Sequence, residues 1–266
     1  MNQRPVPHAW QRGDLYEQYV GRWSRQVAPI FLEWMGVPAE CRWLDVGCGT
    51  GALCAAILDT CAPSSVAGVE PSEGFLEIAR RQLAGRAVLQ RGSAATIPLE
   101  DASVDVVVSG LVLNFIPNVP AALAEMARVA GKGGIIAAYV WDYAGKMELM
   151  RFFWDAAVQL DPGVTQLDEM ARFPLCRPAA LTELFAGSGL EQIAVTAIDI
   201  STRFPSFADY WQPFLGGQGS APAYAMSLAE SARVRLRETI RERIPTLPDG
   251  SIALTARAWA VRARVA

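Results

Sequence analysis

Three glycines at alternate positions in the stretch WLDVGCGTGA, residues 43–52, are the first feature of this sequence that could do chemistry. Gly47, Gly49 and Ala52 fit the dinucleotide fingerprint G-x-G-x-x-(G/A), and Glu70 follows Ala52 by 18 residues, about where that fingerprint places an acidic partner for a ribose. Gly51 also makes the stretch G-x-G-x-G. The loop could therefore hold a dinucleotide or a cofactor that has no pyrophosphate.

The residue types of the loop suit a ligand with a ribose. Glycines let the backbone pass close to a ligand, and the loop amides and the start of the next helix then point at it. The Glu70 carboxylate can accept hydrogen bonds from both ribose hydroxyls. On these features alone NAD and S-adenosylmethionine fit about equally, and a tightly packed glycine turn with a solvated glutamate is a third interpretation.

The elements that must position these residues alternate regularly in the first half of the chain. Apolar segments predict five strands, at 42–46, 65–70, 86–92, 104–110 and 133–141, with helices at 52–58, 71–83 and 118–130. Such alternation predicts an α/β fold with a parallel, doubly wound, Rossmann-like sheet. Strands at 191–202 and 250–265 bring the sheet to seven, the last antiparallel, with helical cap insertions between them.

The same pattern predicts the domain organisation. We expect an N-terminal helical lid at 1–36, a cofactor-binding core at 37–141 and a cap insertion at 142–177. The remainder, 178–266, completes the core sheet and carries a second helical insertion at about 206–245.

Composition excludes several classes of function. Of 266 residues, 52% are hydrophobic and 19% charged, which is typical of a chain with a sizeable core, and the net charge of −3 gives no field that attracts nucleic acid. The N-terminus lacks a signal-peptide core and no apolar run could span a membrane, so we expect a cytoplasmic protein. The only histidine, His8, lies in a polar tail, which removes histidine triads and histidine metal sites; we expect no metal. The five cysteines form no C-x-x-C pair, and we expect reduced thiols.

Motifs downstream of the loop distinguish the two cofactors. Four motifs together resemble those of the class I S-adenosylmethionine-dependent methyltransferases. They are LDVGCGTG at 44–51, GVEPSEGFLEIAR at 68–80, GSAATIPLEDASVDVVVS at 92–109 and RVAGKGG at 128–134. The resemblance is to the small-molecule branch (methyltransferase domain 11/25-like), which includes quinone-biosynthesis enzymes. It covers roughly residues 14–141 and is weaker beyond them.

The resemblance implies roles for individual residues. The backbone at Gly47, Gly49 and Gly51 would face the methionine part of the cofactor, Asp45 would brace the loop and Glu70 would bind the ribose. Ser93 and Ala94 would meet the adenine edge, and Leu111 would line the methyl-donor pocket. The family has Asp at the position of Ser93, which weakens the expected contact with the adenine amino group. It has Phe at the position of Val104, a packing change only.

The acceptor side is less defined. In similar enzymes an N-terminal helix closes over the cofactor, which makes Tyr16, Tyr19 and Arg22 candidates for contact with the cofactor or the acceptor. Tyr16 and Tyr19 are the candidate catalytic residues, although methyl transfer from a sulfonium is a direct displacement that proximity alone can drive. The substrate pocket is expected to include four further residues: Asn114, Trp141, Tyr143 and Trp211. The aromatic side chains of Trp141, Tyr143 and Trp211 predict a small aromatic or apolar acceptor, methylated on O, N or C.

Other functions stay open from the sequence. A nicotinamide-dependent oxidoreductase would need a Tyr–Lys or His base, and YAGK at 143–146 is one residue too short for Tyr-x-x-x-Lys. A non-catalytic cofactor-binding module is a further alternative. Methylation of nucleic-acid bases is disfavoured by the acidic chain and by the absence of the N-P-P-(Y/F) motif, which NFIP at 114–117 resembles only loosely. We expect a monomer or a homodimer with no nucleic-acid or membrane partner.

Overall fold

The computed structural model describes residues 21–216 and 219–266. Tyr16, Tyr19 and His8 lie outside this part of the chain. The described residues divide into two units. The sheet unit comprises Ser24–Trp141, Leu175–Ile198 and Ala258–Ala266, and the helical unit comprises 21–23, Asp142–Pro174 and Asp199–Arg257.

The strands are seven: β1 (Arg42–Val46), β2 (Ser65–Glu70), β3 (Val88–Arg91), β4 (Val106–Gly110), β5 (Ile135–Trp141), β6 (Leu190–Phe204) and β7 (Ile252–Val265). The helices of the first half are α1 (Arg22–Met35), α2 (Ala52–Thr60), α3 (Glu73–Leu83) and α4 (Val119–Ala130). Those of the second half are α5 (Glu148–Leu160), α6 (Glu169–Arg172), α7 (Pro178–Gly187), α8 (Phe207–Trp211), α9 (Ser220–Ser227) and α10 (Glu230–Arg243). Among the described residues, no helix is both long and apolar enough to cross a membrane.

The sheet confirms the expected fold class. Its order is β3-β2-β1-β4-β5-β7-β6. Strands β1 to β5 run parallel to one another, and β7 is antiparallel to β5. The strand order reverses where β1 lies between β2 and β4, and an open α/β sheet binds its ligand outside the carboxyl ends of the strands at that switch point. The fold therefore brings the ends of β1, β2 and β4 to one edge.

The core of the sheet unit explains why the central strands read as continuous apolar runs. Leu44 and Val46 of β1, Val107 of β4 and Ile136 of β5 are each fully buried in one cluster with side chains from α4 and α7. Parallel strands are covered by helices on both faces, so neither face needs polar side chains. Val104, which stands where the family has Phe, also lies in this cluster.

Four predicted strands begin two residues later than expected, at Val88, Val106, Ile135 and Ile252. The strand predicted at 104–110 begins at Val106, and the Asp105 carboxylate just before it accepts hydrogen bonds from the backbone and side chain of Arg42. The strand predicted at 86–92 is limited to Val88–Arg91, which pair with the end of β2. By contrast, Ser72 caps α3 as expected, with its hydroxyl accepting from the N–H of Phe75.

The helical unit is held by stacked rings and buried charge pairs. The Phe153 ring stacks on Phe214 with centroids 4.6 Å apart, and the Trp154 ring stacks on Tyr224 at 5.8 Å. Many of the aromatic side chains predicted for a cap are therefore ordinary core. The Arg151 guanidinium is paired with the fully buried Asp168 carboxylate at 2.8 Å, an arrangement that requires both partners because a lone buried charge is costly.

Candidate cofactor site

The glycine loop begins where β1 ends and is anchored to the neighbouring strand. The backbone N–H groups of Gly47 and Cys48 both donate to the carbonyl of Val69, at 2.8 and 3.1 Å, and the N–H of Gly51 donates to the carbonyl of Cys48 at 2.8 Å. α2 then starts at Ala52 with no side-chain cap. The loop is thus a fixed turn whose later amides precede an uncapped helix, an arrangement that favours an electron-rich ligand group.

The three glycines are needed for different reasons. A Cβ at Gly47 would lie 2.6 Å from a methyl of Val112, and one at Gly51 would lie 3.1 Å from Leu83, so packing against the protein accounts for both. A Cβ at Gly49 would meet nothing nearer than a backbone oxygen at 4.0 Å. Gly49, with φ of +53°, is therefore the one loop glycine whose Cα faces open space.

Glu70, the last residue of β2, ties this loop to the next helix. One carboxylate oxygen accepts from the N–H of Gly49 at 3.1 Å and the other from the N–H of Ser72 at 3.0 Å. Burial raises the pKa of Glu70, and these two hydrogen bonds oppose that increase. Each carboxylate oxygen can accept more than one hydrogen bond, so the side chain keeps capacity for a ligand hydroxyl.

Asp45 is the most perturbed acid of the site. Its side chain is 1% exposed; one oxygen accepts from the Cys54 thiol at 3.3 Å, and the other is buried with no hydrogen-bond partner among the described residues. Burial raises the pKa of Asp45 to about 7, and the nearby charge of Glu70 adds to the increase. The expected bracing of the loop by Asp45 is seen only as this contact with α2. An unsatisfied buried oxygen is rare enough to suggest a missing ligand or water.

The residues expected around adenine and the methyl group also lie at the carboxyl ends of strands. Arg91 of β3 lies opposite Glu70 of β2 in the strand register. Ser93 and Ala94 follow Arg91 in a turn that is exposed at Ser93. Leu111 directly follows β4 and has φ of +64°, an unusual conformation for leucine. The structure thus brings together the loop, Glu70, Ser93, Ala94 and Leu111 along the same edge of the sheet.

The other predicted residues are divided between the units. In the sheet unit, the Asn114 amide N–H donates to the Cys176 sulfur at 3.3 Å while its buried oxygen has no partner among the described residues, and Trp141 is buried. In the helical unit, Arg22 lies 3.4 Å from the Asp209 carboxylate and stacks over the ring of Phe204. Tyr143 packs on Phe173, and Trp211 on Phe153 and Phe214.

Three residues with supporting roles were not predicted from the sequence. The buried Ser109 hydroxyl donates to the carbonyl of Val46 at 2.9 Å and fixes the end of β1 against β4. Cys54 donates to Asp45, and Val112 fills the space beside Gly47. The helical repeat puts Cys54 on the buried face of α2, but no local signal reveals the contacts of Ser109 or Val112 with residues more than sixty positions away.

Comparison with known proteins identifies the domain. Residues 44–138 match the model of a family described as methyltransferase domain. The chain therefore carries a methyltransferase domain over these residues. This methyltransferase domain is 35% identical over 117 residues to a protein named demethylmenaquinone methyltransferase from Staphylococcus aureus, a match that covers 43% of this chain and 47% of that protein. The chain spans about half the length of the curated relatives it matches.

Solved structures support the fold over a longer span. A candidate methyltransferase from Bacillus halodurans superposes with a TM-score of 0.60 at 15% identity, covering 90% of this chain and 99% of that one. Phosphoethanolamine N-methyltransferase 2 from Haemonchus contortus, solved with S-adenosylhomocysteine, gives a TM-score of 0.54 at 14% identity, covering 90% of this chain and 52% of that one. At these identities the likeness shows that the methyltransferase fold extends beyond residues 44–138.

Two observations on the structure fit S-adenosylmethionine, the cofactor that the sequence resemblance implies. The unpartnered oxygen of Asp45 suits a cationic or hydrogen-bonding amino-acid group, and the open side of Gly49 lets a ligand approach the backbone. Glu70 has room to accept hydrogen bonds from hydroxyls beside that glycine. These two carboxylates and the open glycine therefore fit a cofactor with a ribose and an amino-acid tail.

Proposed function

We propose that this protein transfers a methyl group from S-adenosylmethionine to a small, aromatic or apolar acceptor. The observation that carries the proposal is the arrangement of Asp45, the open Gly49 and Glu70 at the switch point of a sheet with a methyltransferase-domain sequence. The cofactor supplies an electrophilic methyl group on a sulfonium. The protein is left with three tasks, which are to orient the cofactor, to align the acceptor and to exclude water.

The described residues would divide the binding task between them. Glu70 would hold the ribose hydroxyls, Asp45 would approach the amino group of the methionine tail, and Ser93 and Ala94 would border the adenine. Because the Glu70 carboxylate also holds the N–H groups of Gly49 and Ser72, it would fix the loop and the ribose with one side chain. Leu111 would limit the space beside the methyl group.

The acceptor class rests on the supply of flat and apolar side chains. Trp141, Tyr143 and Trp211 remain our candidates for acceptor contacts, with Asn114 as a candidate for a polar one. The named substrate of the Staphylococcus aureus relative, demethylmenaquinone, makes a quinone-type compound a sensible member of the acceptor panel. If the acceptor must lose a proton, Tyr16 and Tyr19 are the proposed bases; otherwise alignment alone suffices.

Binding of S-adenosylhomocysteine to Glu70→Gln tests the proposed cofactor site. The variant keeps the size of the side chain but loses its charge, and hydrogen bonds to a charged group contribute about 1.5–3 kcal/mol, so we expect the affinity to fall by about ten-fold or more. Glu73→Gln, an exposed change three residues away, is the matched control and should bind as wild type. Titration calorimetry measures both. Tight binding of NADH, with none of S-adenosylhomocysteine, would indicate the oxidoreductase alternative.

Proton release tests the proposed place of the amino group. A ligand ammonium near the Asp45 carboxyl lowers its pKa from about 7, so binding of S-adenosylhomocysteine at pH 6 should release up to one proton. Calorimetry in two buffers of different ionisation enthalpy measures the number. Asp45→Asn should bind without this release. Equal proton release by both proteins would place the amino group elsewhere.

Turnover decides between an enzyme and a non-catalytic module. We expect transfer of a labelled methyl group to at least one member of a panel of phenols, quinols and aromatic amines. Binding of S-adenosylhomocysteine without turnover on the whole panel would favour the module.

A further inference from the structure

A small pocket in the helical unit is lined by none of the residues proposed for the cofactor. It measures about 250 Å³ and opens between the turn after α8, α9 and α10. Four apolar side chains form its walls: Trp211, Leu215, Met226 and Val234. The Trp211 ring stacks on Phe153 and contacts the tilted ring of Phe214. These contacts hold the indole in place as a flat wall of the pocket.

Two of these walls expose apolar surface in a way that is unusual for large hydrophobic side chains. Met226 is 47% exposed and Val234 is 38% exposed. Single exposed apolar residues need no explanation, but these two line the same concave pocket, and a mostly apolar pocket with a few polar groups is typical of a small-molecule site. The flexible thioether of Met226 can also adapt to the outline of a ligand.

Charged side chains from one face of α10 complete the lining. Glu230, Arg233 and Arg237 follow each other at spacings of three and four residues, and Val234 lies between them on the same face. Two guanidinium groups and one carboxylate thus border the opening. Arg233 pairs with Glu230, whose side chain is 74% exposed, and Arg237 pairs with the half-exposed Glu238. Such surface pairs contribute little to stability, so a ligand carboxylate can replace them easily.

We infer that this pocket binds a small amphipathic organic acid, with a single ring or a short chain in the apolar part and a carboxylate at Arg233 and Arg237. The size favours this class, because about 250 Å³ lies just below the range of roughly 300–1,000 Å³ for drug-sized ligands. The chemistry favours it as well, since guanidinium groups bind carboxylates through paired hydrogen bonds. The inference does not depend on methyl transfer: Trp211 is also a candidate acceptor contact, but the other residues of the lining have no part in the proposed function.

The probe for this site is 4-phenylbutyrate, compared with its neutral amide. We expect wild type to bind the acid at least ten-fold more tightly than the amide, measured by titration calorimetry. The double variant Arg233→Ala/Arg237→Ala should lose that preference, and Val234→Trp, which fills the pocket, should lose both ligands. Arg235→Ala removes an exposed charge from the same helix outside the pocket and should bind as wild type.

Other outcomes overturn the inference. It fails if wild type binds acid and amide equally or binds neither, or if the double arginine variant keeps the affinity for the acid. Far-UV circular dichroism of each variant shows whether it is folded, and the arginine changes are at the surface, where loss of folding is not expected. Titration with S-adenosylhomocysteine keeps the two hypotheses separate, because a wild type that binds the acid and not the nucleoside refutes the proposed function alone.

Discussion

Replacing Asp45 by asparagine should remove a pH dependence of stability from the protein without its cofactor. The carboxyl has an ordinary pKa of 3.8 and a pKa of about 7 in the folded chain, so between these values the folded state binds the proton more tightly than the unfolded state. The stability that this gives is complete below pH 4 and is lost as the pH rises to about 7. From pH 5 to pH 8 the loss is nearly two pH units at about 1.4 kcal/mol each, or about 2–3 kcal/mol.

The effect is measured as a difference between two proteins. Urea unfolding of wild type and Asp45→Asn at pH 5, 6, 7 and 8 gives the free energy of unfolding for each. We expect the variant to gain about 2–3 kcal/mol relative to wild type between pH 5 and pH 8, in addition to any constant cost of its buried amide. Other groups, including the buried Glu169 with its pKa of about 7, titrate in both proteins and cancel.

A matched control is available at Asp105. The Arg42 side chain, which donates to this carboxylate, lowers the pKa of Asp105, so the group is ionised in both states above pH 5. Asp105→Asn should therefore lower stability by a constant amount and leave the slope between pH 5 and 8 as in wild type. If Asp45→Asn also follows the wild-type slope, then Asp45 is not the buried, proton-binding group described above, and the argument from its unpartnered oxygen fails with it.

Two further changes test the packing of the units. Gly47→Ala should lower the free energy of unfolding in urea by about 2–5 kcal/mol, because the new Cβ would lie 2.6 Å from Val112 and a φ of +76° disfavours any side chain. A loss below about 1 kcal/mol would show that Val112 moves aside freely. Asp168→Asn should cost about 3–5 kcal/mol, because it leaves the Arg151 charge without its buried partner. The same change at Asp155, the 59% exposed partner of Arg151, should cost within about 1 kcal/mol, and equal costs at both positions would refute the role assigned to burial.

Much of the sheet could be predicted from local patterns. β1 and β2 have the predicted bounds, because a buried parallel strand is a continuous apolar run that ends abruptly at glycine or at a helix cap such as Ser72. The position of Glu70 at the end of β2 was predictable for the same reason. Its bonds to Gly49 and Ser72 were not, since they depend on how the loop folds back over the strand.

The roles of the loop glycines illustrate what a local pattern omits. The alternation at Gly47, Gly49 and Gly51 predicts a close approach by the cofactor at all three. The structure assigns two of them to packing, against Val112 and Leu83, and leaves only Gly49 open. Contacts between residues this far apart in sequence are set by the tertiary fold, and a spacing motif does not distinguish a glycine required by a ligand from one required by a neighbouring side chain.

The strained turn after β4 and the glycine loop stabilise each other. Leu111 has φ of +64°, a conformation that costs about 1–3 kcal/mol for such a residue, and its N–H is held by the carbonyl of Tyr139 at 2.8 Å. That turn directs Val112 into the space beside Gly47, where no larger residue fits. A relaxed Leu111 would withdraw the Val112 methyls and leave the loop unsupported on this side. We expect the packing of Val112 beside Gly47 to offset part of the strain at Leu111, because strained backbone persists where the surrounding structure fixes it.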